Sequence, residues 1–379
     1  MNKTSYQILS GVTEVQHLAD ELSRHSQIAV DVEADSLHHY REKVCLIQVS
    51  TNQDTWLIDV LAVPNADILE AALSCAGREV VLHGGDYDIR SLDRDFSIHF
   101  AQVFDTMIAA QFIGETEIGL ASLLQKYCSI RLDKKFQKAD WSIRPLPADM
   151  ADYAAQDTAH LLMLSRILRG RLAELGRLEW VREECGILAK NRVTEKRSGP
   201  LFLTCKGAGK LQRRNLAVLE ALLQSREALA QSLDRPTFKV FSTEVALSIA
   251  EALPTTFSKL LALEKIPRGI SNRFGAVLLQ AVADGMALPV SELPIYPRTR
   301  GEANPGIKAK LTALKEWRSQ EEEKLGLASG LIAPNWLLER IAESWPVTMS
   351  ALAEITGIRH WQCSVWGERL LAFLSKGEN

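Results

Sequence analysis

A chain of 379 residues, 46% of them hydrophobic, is long enough for two or three domains with sizeable cores. The net charge of −3 and a pI of about 6.3 exclude a protein that grips nucleic acid by bulk positive charge, for which a domain pI above about 9 is usual. No apolar run reaches transmembrane length. The start, Met-Asn-Lys-Thr-Ser-Tyr-Gln, lacks a signal-peptide core. Six scattered cysteines without a CxxC pair argue against a disulfide framework or zinc finger. The expected location is a reducing cytoplasm.

In chain order, a helix is expected near residues 13–25, then a strand over Gln27-Ile28-Ala29-Val30-Asp31-Val32-Glu33-Ala34. His38 and His39 fall in a turn, as surface residues near enough to that strand to touch a substrate. Val44–Val49 and Thr55–Val60 read as two more strands, joined by the hairpin signal Thr51-Asn52-Gln53-Asp54. A helix over about 65–76 leads to a strand ending at His83. A Gly-Gly turn follows, a helix begins near Asp86, and helices dominate to about residue 188. The three early strands suggest an antiparallel meander, followed by strands alternating with helices.

Strand residues i and i+2 share a face, so Asp31 and Glu33 project side by side while Val30 and Val32 point the other way. Like charges on one face are costly to desolvate, and a divalent cation removes the cost. A solvated acidic edge strand would explain the pair equally well. After the Gly84-Gly85 turn, Asp86 suits a helix N-cap and Asp88 the first turn, and physics alone does not choose between them. Tyr153 and Asp157 lie four apart on a helix that Leu161, Leu164 and Leu168 continue. A phenol one turn from a carboxylate can orient a water made acidic by a metal. An ordinary packed Tyr beside a solvated Asp is the plainer alternative.

Taken together, Asp31-Val32-Glu33, the run from His83 to Asp88, and Tyr153 with Asp157 resemble the three motifs of the DnaQ-like, or DEDD, exonucleases in their tyrosine form. In the second motif the acid follows His by five positions, which selects Asp88. Phe104-Asp105-Thr106 and Asp140-Trp141-Ser142-Ile143-Arg144-Pro145-Leu146-Pro147 are similar to ribonuclease D. Val32 departs from the Thr of many such sequences, at a position facing away from the acids. The resemblance implies a mixed five-stranded ribonuclease H-like α/β sheet with flanking helices. It implies that Asp31, Glu33, Asp88 and Asp157 hold two divalent ions, Mg²⁺ or Mn²⁺, and that these four residues and Tyr153 are catalytic. Four carboxylates match two such ions in charge, and oxygen ligands favour them over zinc. The resemblance also implies stepwise 3′→5′ hydrolysis releasing 5′-mononucleotides. His83, Lys134, Lys135, Trp141 and Arg144, in or beside the motifs, are the expected substrate contacts. Further basic clusters, Lys190, Arg192, Lys196 and Arg197, then Lys206, Lys210, Arg213 and Arg214, fit phosphate contact or a solvated linker.

From about residue 207 the pattern turns all-helical, with an internal repeat. Ile249-Ala250-Glu251-Ala252-Leu253-Pro254 recurs as Ile341-Ala342-Glu343-Ser344-Trp345-Pro346, 92 residues on. The same offset takes Leu260 to Leu352, Ile266 to Ile358 and Phe274-Gly275 to Trp366-Gly367. The first copy resembles an HRDC domain from Leu216 through Arg226-Glu227 and Arg235-Pro236 to Arg273-Phe274-Gly275. The second is more divergent. The expected domains are therefore an exonuclease domain over 1–200 and two all-α HRDC-like domains over 207–288 and 305–379. Pro289 through Gly306, rich in proline and charge, separates the two helical modules. The modules are expected to guide substrate, with bracing of the catalytic domain as the alternative. Trp317, Trp336, Trp361 and Trp366 fit either stacking on bases or a helical core.

The leading expectation is a ribonuclease D-like exoribonuclease trimming 3′ ends of structured RNA such as tRNA precursors, with no membrane partner. A Werner-type 3′→5′ DNA exonuclease shares the motifs, and nothing in them reads a 2′-hydroxyl. A catalytically silent nucleic-acid-binding scaffold is a third reading, against which stands the presence of all four acids and the tyrosine.

Overall fold

A computed structural model describes residues 5–75, 77–133, 135–193, 199–297 and 305–376. The chain divides into two compact units: Met1–Ala34 with Val44–Val193 and Glu302–Asn379, and Asp35–Lys43 with Thr194–Gly301. Among the described residues no helix is long and apolar enough to cross a membrane.

The first unit is built on a six-stranded sheet ordered β1-β4-β3-β2-β5-β6. Its elements are β1 (Gln7–Leu9), α1 (Val12–Leu22), β2 (Gln27–Ala34), β3 (Val44–Ser50), β4 (Thr55–Ile58), α2 (Ala66–Leu73), β5 (Glu79–Leu82), α3 (Asp86–Phe96), β6 (Gln102–Asp105), α4 (Thr106–Ile113), α5 (Leu120–Cys128), α6 (Ala148–Ala159), α7 (Leu161–Glu174) and α8 (Leu178–Leu188). The expected meander is present: β2 pairs antiparallel with β3, and β3 with β4. β5 pairs parallel with β2, and β6 with β5. The sheet has six strands and not five because Gln7–Leu9 adds a short parallel edge to β4. Three residues are too few to display an alternating pattern, which is why the sequence did not reveal it.

Alternation on β2 sorts its side chains onto two faces. Ile28, Val30 and Val32 enter the core with α1, α2 and α3, while Ala29, Asp31 and Glu33 take the other face. On that other face α6 lies against β3. Its contact stripe is Ala151, Ala154, Ala155 and Thr158, all fully buried. These positions follow the i, i+3, i+4, i+7 spacing of one helix face. Such small side chains let the helix axis come close to the strand. Thr158 and Ser50 hydroxyls lock the approach at 2.7 Å. The helix expected to run on through Leu161 breaks at His160 (φ −114°, ψ 0°), so α6 and α7 are separate.

The second unit contains α9 (Arg213–Ser232), α10 (Thr237–Val240), α11 (Thr243–Ala252), α12 (Phe257–Leu261) and α13 (Arg268–Ala287). Leu216, Leu219, Leu223, Phe241, Ile249, Phe274 and Leu278 form its core. At Gly285 an added Cβ would stand 2.5 Å from Val218 Cα, so α9 and α13 pack backbone to backbone there. Arg214 donates to the carbonyls of Met286 (3.1 Å) and Leu288 (2.5 Å) at the end of α13, and Arg213 to that of Leu293 (2.6 Å). These two arginines of the expected basic cluster thus serve backbone carbonyls. Lys196 and Arg197 lie outside the described residues. Within this unit His39 Nδ1 meets Asp234 at 2.7 Å, and the Tyr40 hydroxyl donates to Glu227 at 3.0 Å.

The remaining helices are α14 (Pro305–Leu325), α15 (Ser329–Ile332), α16 (Asn335–Ser344), α17 (Met349–Ala353), α18 (His360–Gln362) and α19 (Glu368–Lys376), with a π turn at Cys363–Gly367. The 92-residue repeat is visible in the backbone. α11 and α16 both end on a left-handed residue, Leu253 (φ 48°) and Trp345 (φ 44°). Thr256 and Thr348 then cap α12 and α17 with their hydroxyls.

This second module shares one core with the catalytic sheet. Leu314, Trp317, Leu337, Ile341, Trp361, Trp366 and Leu370 cluster with Phe112, Leu123, Leu124, Leu164 and Val181. Trp361 stacks on Trp180 at 5.1 Å and meets Phe112 edge-on at 5.3 Å. The Glu183 carboxylate accepts the His360 and Trp361 amides (2.6 and 2.9 Å), satisfying the start of α18. Glu184 accepts from Trp361 Nε1 at 2.9 Å and pairs with Arg359 at 3.1 Å. Of the four tryptophans considered for base stacking, Trp317, Trp361 and Trp366 are buried, and only Trp336 is exposed. The geometry here is that of a brace. Trp361→Ala should therefore cost about 3–5 kcal/mol, read as a lower urea midpoint of the catalytic unit, and removal of residues 305–379 should yield an aggregating remnant on size-exclusion chromatography.

Candidate active site

Asp31 and Glu33 project from the end of β2, where the β2–β3 register shifts between Glu33 and Ala34. Asp157 comes down from α6, and one carboxylate oxygen from each of the three lies within 4.8 Å of the others. Asp88 sits in the first turn of α3 and is 6% exposed. The N-cap of α3 is Gly85, and Asp86 makes no cap hydrogen bond, pairing instead with Arg90 and Asn191. Asp88 lies close enough to the first motif for its charge to raise Glu33, and for Asp31 to raise Asp88 in turn. The Val32 side chain is buried in the opposite core.

The Gly84-Gly85 turn that launches α3 is held by a residue whose role the sequence did not disclose. Asp105, at the end of β6, is 1% exposed. Its carboxylate accepts the Gly84, Gly85, Met107 and Ile108 amides at 3.1, 2.7, 2.8 and 3.1 Å. It thereby caps α4 and pins the turn together. Gly84 adopts φ +69°, and a Cβ on Gly85 would stand 2.5 Å from Leu82 Cδ1. The Thr106 hydroxyl donates to the Leu82 carbonyl at 2.9 Å, so its oxygen accepts from His83 Nδ1 at 2.9 Å. That arrangement selects the Nδ1–H tautomer and leaves Nε2 as an acceptor.

Asp31, Glu33, His83, Tyr153 and Asp157 line an open cleft of about 470 Å³ together with Gly119, Leu120 and Ala121 at the start of α5, and Leu132, Asp133 and Gln137. Pockets for small ligands span about 300–1,000 Å³, so the end of a nucleotide chain fits. The last six residues carry no charge pattern or motif that marked them in the sequence.

Burial and mutual repulsion govern the electrostatics. Asp31 is pushed up to about 7 by burial. Glu33 is raised well above the usual carboxylate range by burial and then by Asp31, Asp157 and Asp88. Asp157 and Asp88 are raised by burial and then by the Asp31 charge. Two unit charges about 5 Å apart repel by roughly 3 kcal/mol at an effective dielectric of 20. Several such pairs exceed what one core contact returns, so full ionisation needs cations. All-oxygen donors at this spacing fit hard divalent ions. Burial also raises the Tyr153 phenol, followed by the charges of Asp157, Glu33 and Asp31, which keeps it protonated at neutral pH.

Tyr153 lines the cleft, with its ring edge-on to Phe136 at 5.9 Å and 6.1 Å from Trp141. Trp141 is 1% exposed and packs beneath α6, so it is not brought to the cleft surface. Arg144 is not brought there either. Its guanidinium is bidentate to Asp59 (2.7 and 2.8 Å) and donates to the Cys45 and Trp141 carbonyls (2.7 and 2.8 Å). Lys135 is exposed, 4.8 Å above the Phe136 ring and 3.8 Å from Asp149. Lys134 lies outside the described residues.

Residues 6–173 match the 3′-5′ exonuclease family, and residues 215–282 and 308–374 each match the HRDC domain. The chain is 30% identical over 366 residues to ribonuclease D of Granulibacter bethesdensis, covering 95% of this chain and 90% of that one. It is 33% identical over 270 residues to the exosome complex component 10 homolog of Drosophila melanogaster, covering 69% of this chain and 30% of the fly protein. This chain thus matches less than a third of the fly protein's length. Escherichia coli RNase D, an exoribonuclease involved in structured RNA processing, shares the fold at a TM-score of 0.74 and 24% identity, over 98% of this chain and 99% of that one.

Raised carboxylates have a consequence for stability. An Asp that ionises near 3.8 when unfolded and near 7 when folded holds a proton in the native state that the unfolded chain has released. Stability of the metal-free protein should therefore fall as pH rises from about 4 to 7. Asp31→Asn should raise the metal-free Tm at pH 7.5 and flatten that slope, measured by thermal unfolding in EDTA across pH. A lower Tm in the variant would contradict the repulsion described here.

Proposed function

The chain belongs to the ribonuclease D family of 3′→5′ exoribonucleases, and from that premise we propose that its cleft hydrolyses RNA phosphodiesters with two divalent ions, Mg²⁺ or Mn²⁺. The substrate we propose is the 3′ end of structured RNA, such as a tRNA precursor. The observation that carries the reading is the convergence of Asp31, Glu33 and Asp157 oxygens in a cleft open enough for a nucleotide, with Asp88 near enough for its charge to act on Glu33.

Asp31, Glu33, Asp88 and Asp157 would hold the ions. When bound, such ions supply charge to the scissile phosphate and leaving oxygen and make an attacking water more acidic. The protein's own part is positioning. Tyr153, protonated and braced by Phe136 and Trp141, offers its hydroxyl to orient that water. His83 presents Nε2 as an acceptor for a substrate hydroxyl. Lys135 supplies an exposed cation for a phosphate. Trp141 and Arg144 act at one remove, by fixing the segment that carries α6.

A 5′-labelled RNA oligonucleotide should give a ladder shortening from its 3′ end with Mg²⁺ or Mn²⁺, faster than matched DNA, and none with EDTA or Asp157→Asn. A ladder favouring DNA would replace RNA as the substrate, and retained binding without a ladder would make the protein a scaffold. Tyr153→Phe should lower kcat about 100-fold with little change in KM. A pure KM effect would remove the water-orienting role.

A further inference from the structure

Strand β3 reads Val44-Cys45-Leu46-Ile47-Gln48-Val49-Ser50, and all seven residues are buried. Two of them are polar side chains on the face covered by α6. Ser50 is satisfied, with Thr55 at 2.8 Å and Thr158 at 2.7 Å. Gln48 is 0% exposed, and neither its amide nitrogen nor its amide oxygen has a hydrogen-bond partner. A buried carboxamide left in this state is costly, and Met or Leu would fill a similar volume without the cost. The question is what the amide is there to meet.

Register narrows the answer. Gln48 stands directly opposite Asp31 on β2 and Leu57 on β4. Directly opposed side chains share a sheet face with Cβ atoms about 4.5–5.5 Å apart. Leu57 has no polar atom. Above, α6 presents Ala151, Ala154 and Ala155, together with Thr158, whose hydroxyl is already paired with Ser50. Asp31 is therefore the polar side chain that the ladder sets beside Gln48. A carboxamide N–H is suited to donate to one carboxylate oxygen and thereby turn the other toward the cleft.

We propose that Gln48 is a positioning residue of the cleft, whose buried amide orients the Asp31 carboxylate when that carboxylate holds a divalent ion. The inference rests on the metal-dependent reading above. Polar groups that orient metal-binding carboxylates change metal affinity by about 10–100-fold when removed, and that is the size of effect expected here.

The test uses the full chain, Mn²⁺ alone as probe, and no nucleic acid. Gln48→Met and Gln48→Leu are compared with wild type by isothermal titration with Mn²⁺ and by thermal unfolding in EDTA. The expected result is a metal-free Tm equal to or above wild type with Mn²⁺ affinity about 10–100-fold weaker. The rate of RNA cleavage should then fall at limiting Mn²⁺ and recover when Mn²⁺ is raised. Unchanged Mn²⁺ affinity in a folded variant overturns the proposal and leaves Gln48 as core filling. Loss of metal-free stability in both variants also overturns it, because the amide would then serve the fold. If wild type itself binds no Mn²⁺, the metal-dependent reading fails, and the proposal with it; wild-type binding matched by both variants removes Gln48 alone.

Discussion

Everything in the cleft depends on how closely one helix can lie on one strand. Asp31 and Glu33 belong to β2, while Asp157 belongs to α6, more than a hundred residues later, yet their oxygens fall within 4.8 Å. That is possible because α6 turns three alanines and a threonine toward the sheet. A wider spacer at Ala151, Ala154 or Ala155 would lift the helix, and Tyr153 and Asp157 would rise with it. The same closeness creates the repulsion among the acids. The site is an electrostatically unfavourable arrangement held by packing, and a cation is its natural complement.

Two charged residues outside the cleft show how that packing is secured. Asp105 binds four backbone amides at once, and by doing so fixes both the Gly84-Gly85 turn and the start of α4. Arg144 performs the complementary task with carbonyls and Asp59, tying the irregular segment before α6 to the ends of β3 and β4. Neither residue needs to touch a substrate to matter. A partly buried ion pair whose donors are all used is costly to break, since removing one partner strands the other. The cleft is therefore sensitive to residues well behind its surface.

The parts of this arrangement that local patterns encode were legible in the sequence. Asp31 and Glu33 share a face because strand periodicity is two, and Tyr153 and Asp157 share one because helix periodicity is close to four. What depended on distant partners was not legible. Asp86 and Asp88 could not be separated locally; a glycine cap, the burial of Asp88 and the pairing of Asp86 with Arg90 and Asn191 decide between them. Arg144 looked like a substrate contact because its partner Asp59 lies 85 residues away. The burial of Trp141 depends on α6, and the sixth strand on a three-residue edge that only pairing with β4 defines.

The helical repeat carries the same lesson one level up. Features kept at the 92-residue offset frame each module: the left-handed backbone at Leu253 and Trp345, the capping Thr256 and Thr348, and the helix-packing Gly275 and Gly367. Residues that bind the second module to the catalytic core break the repeat. Arg359, His360 and Trp361 engage Glu183 and Glu184, and their counterparts in the first module are Pro267, Arg268 and Gly269. A glycine cannot stack on Trp180, and a proline has no amide or guanidinium to donate. In the second module the bracing contacts run through the Arg359 and Trp361 side chains and the His360 and Trp361 amides. The resemblance between the modules is a statement about their frames, and the contacts that tie the second into the catalytic core fall where that resemblance ends.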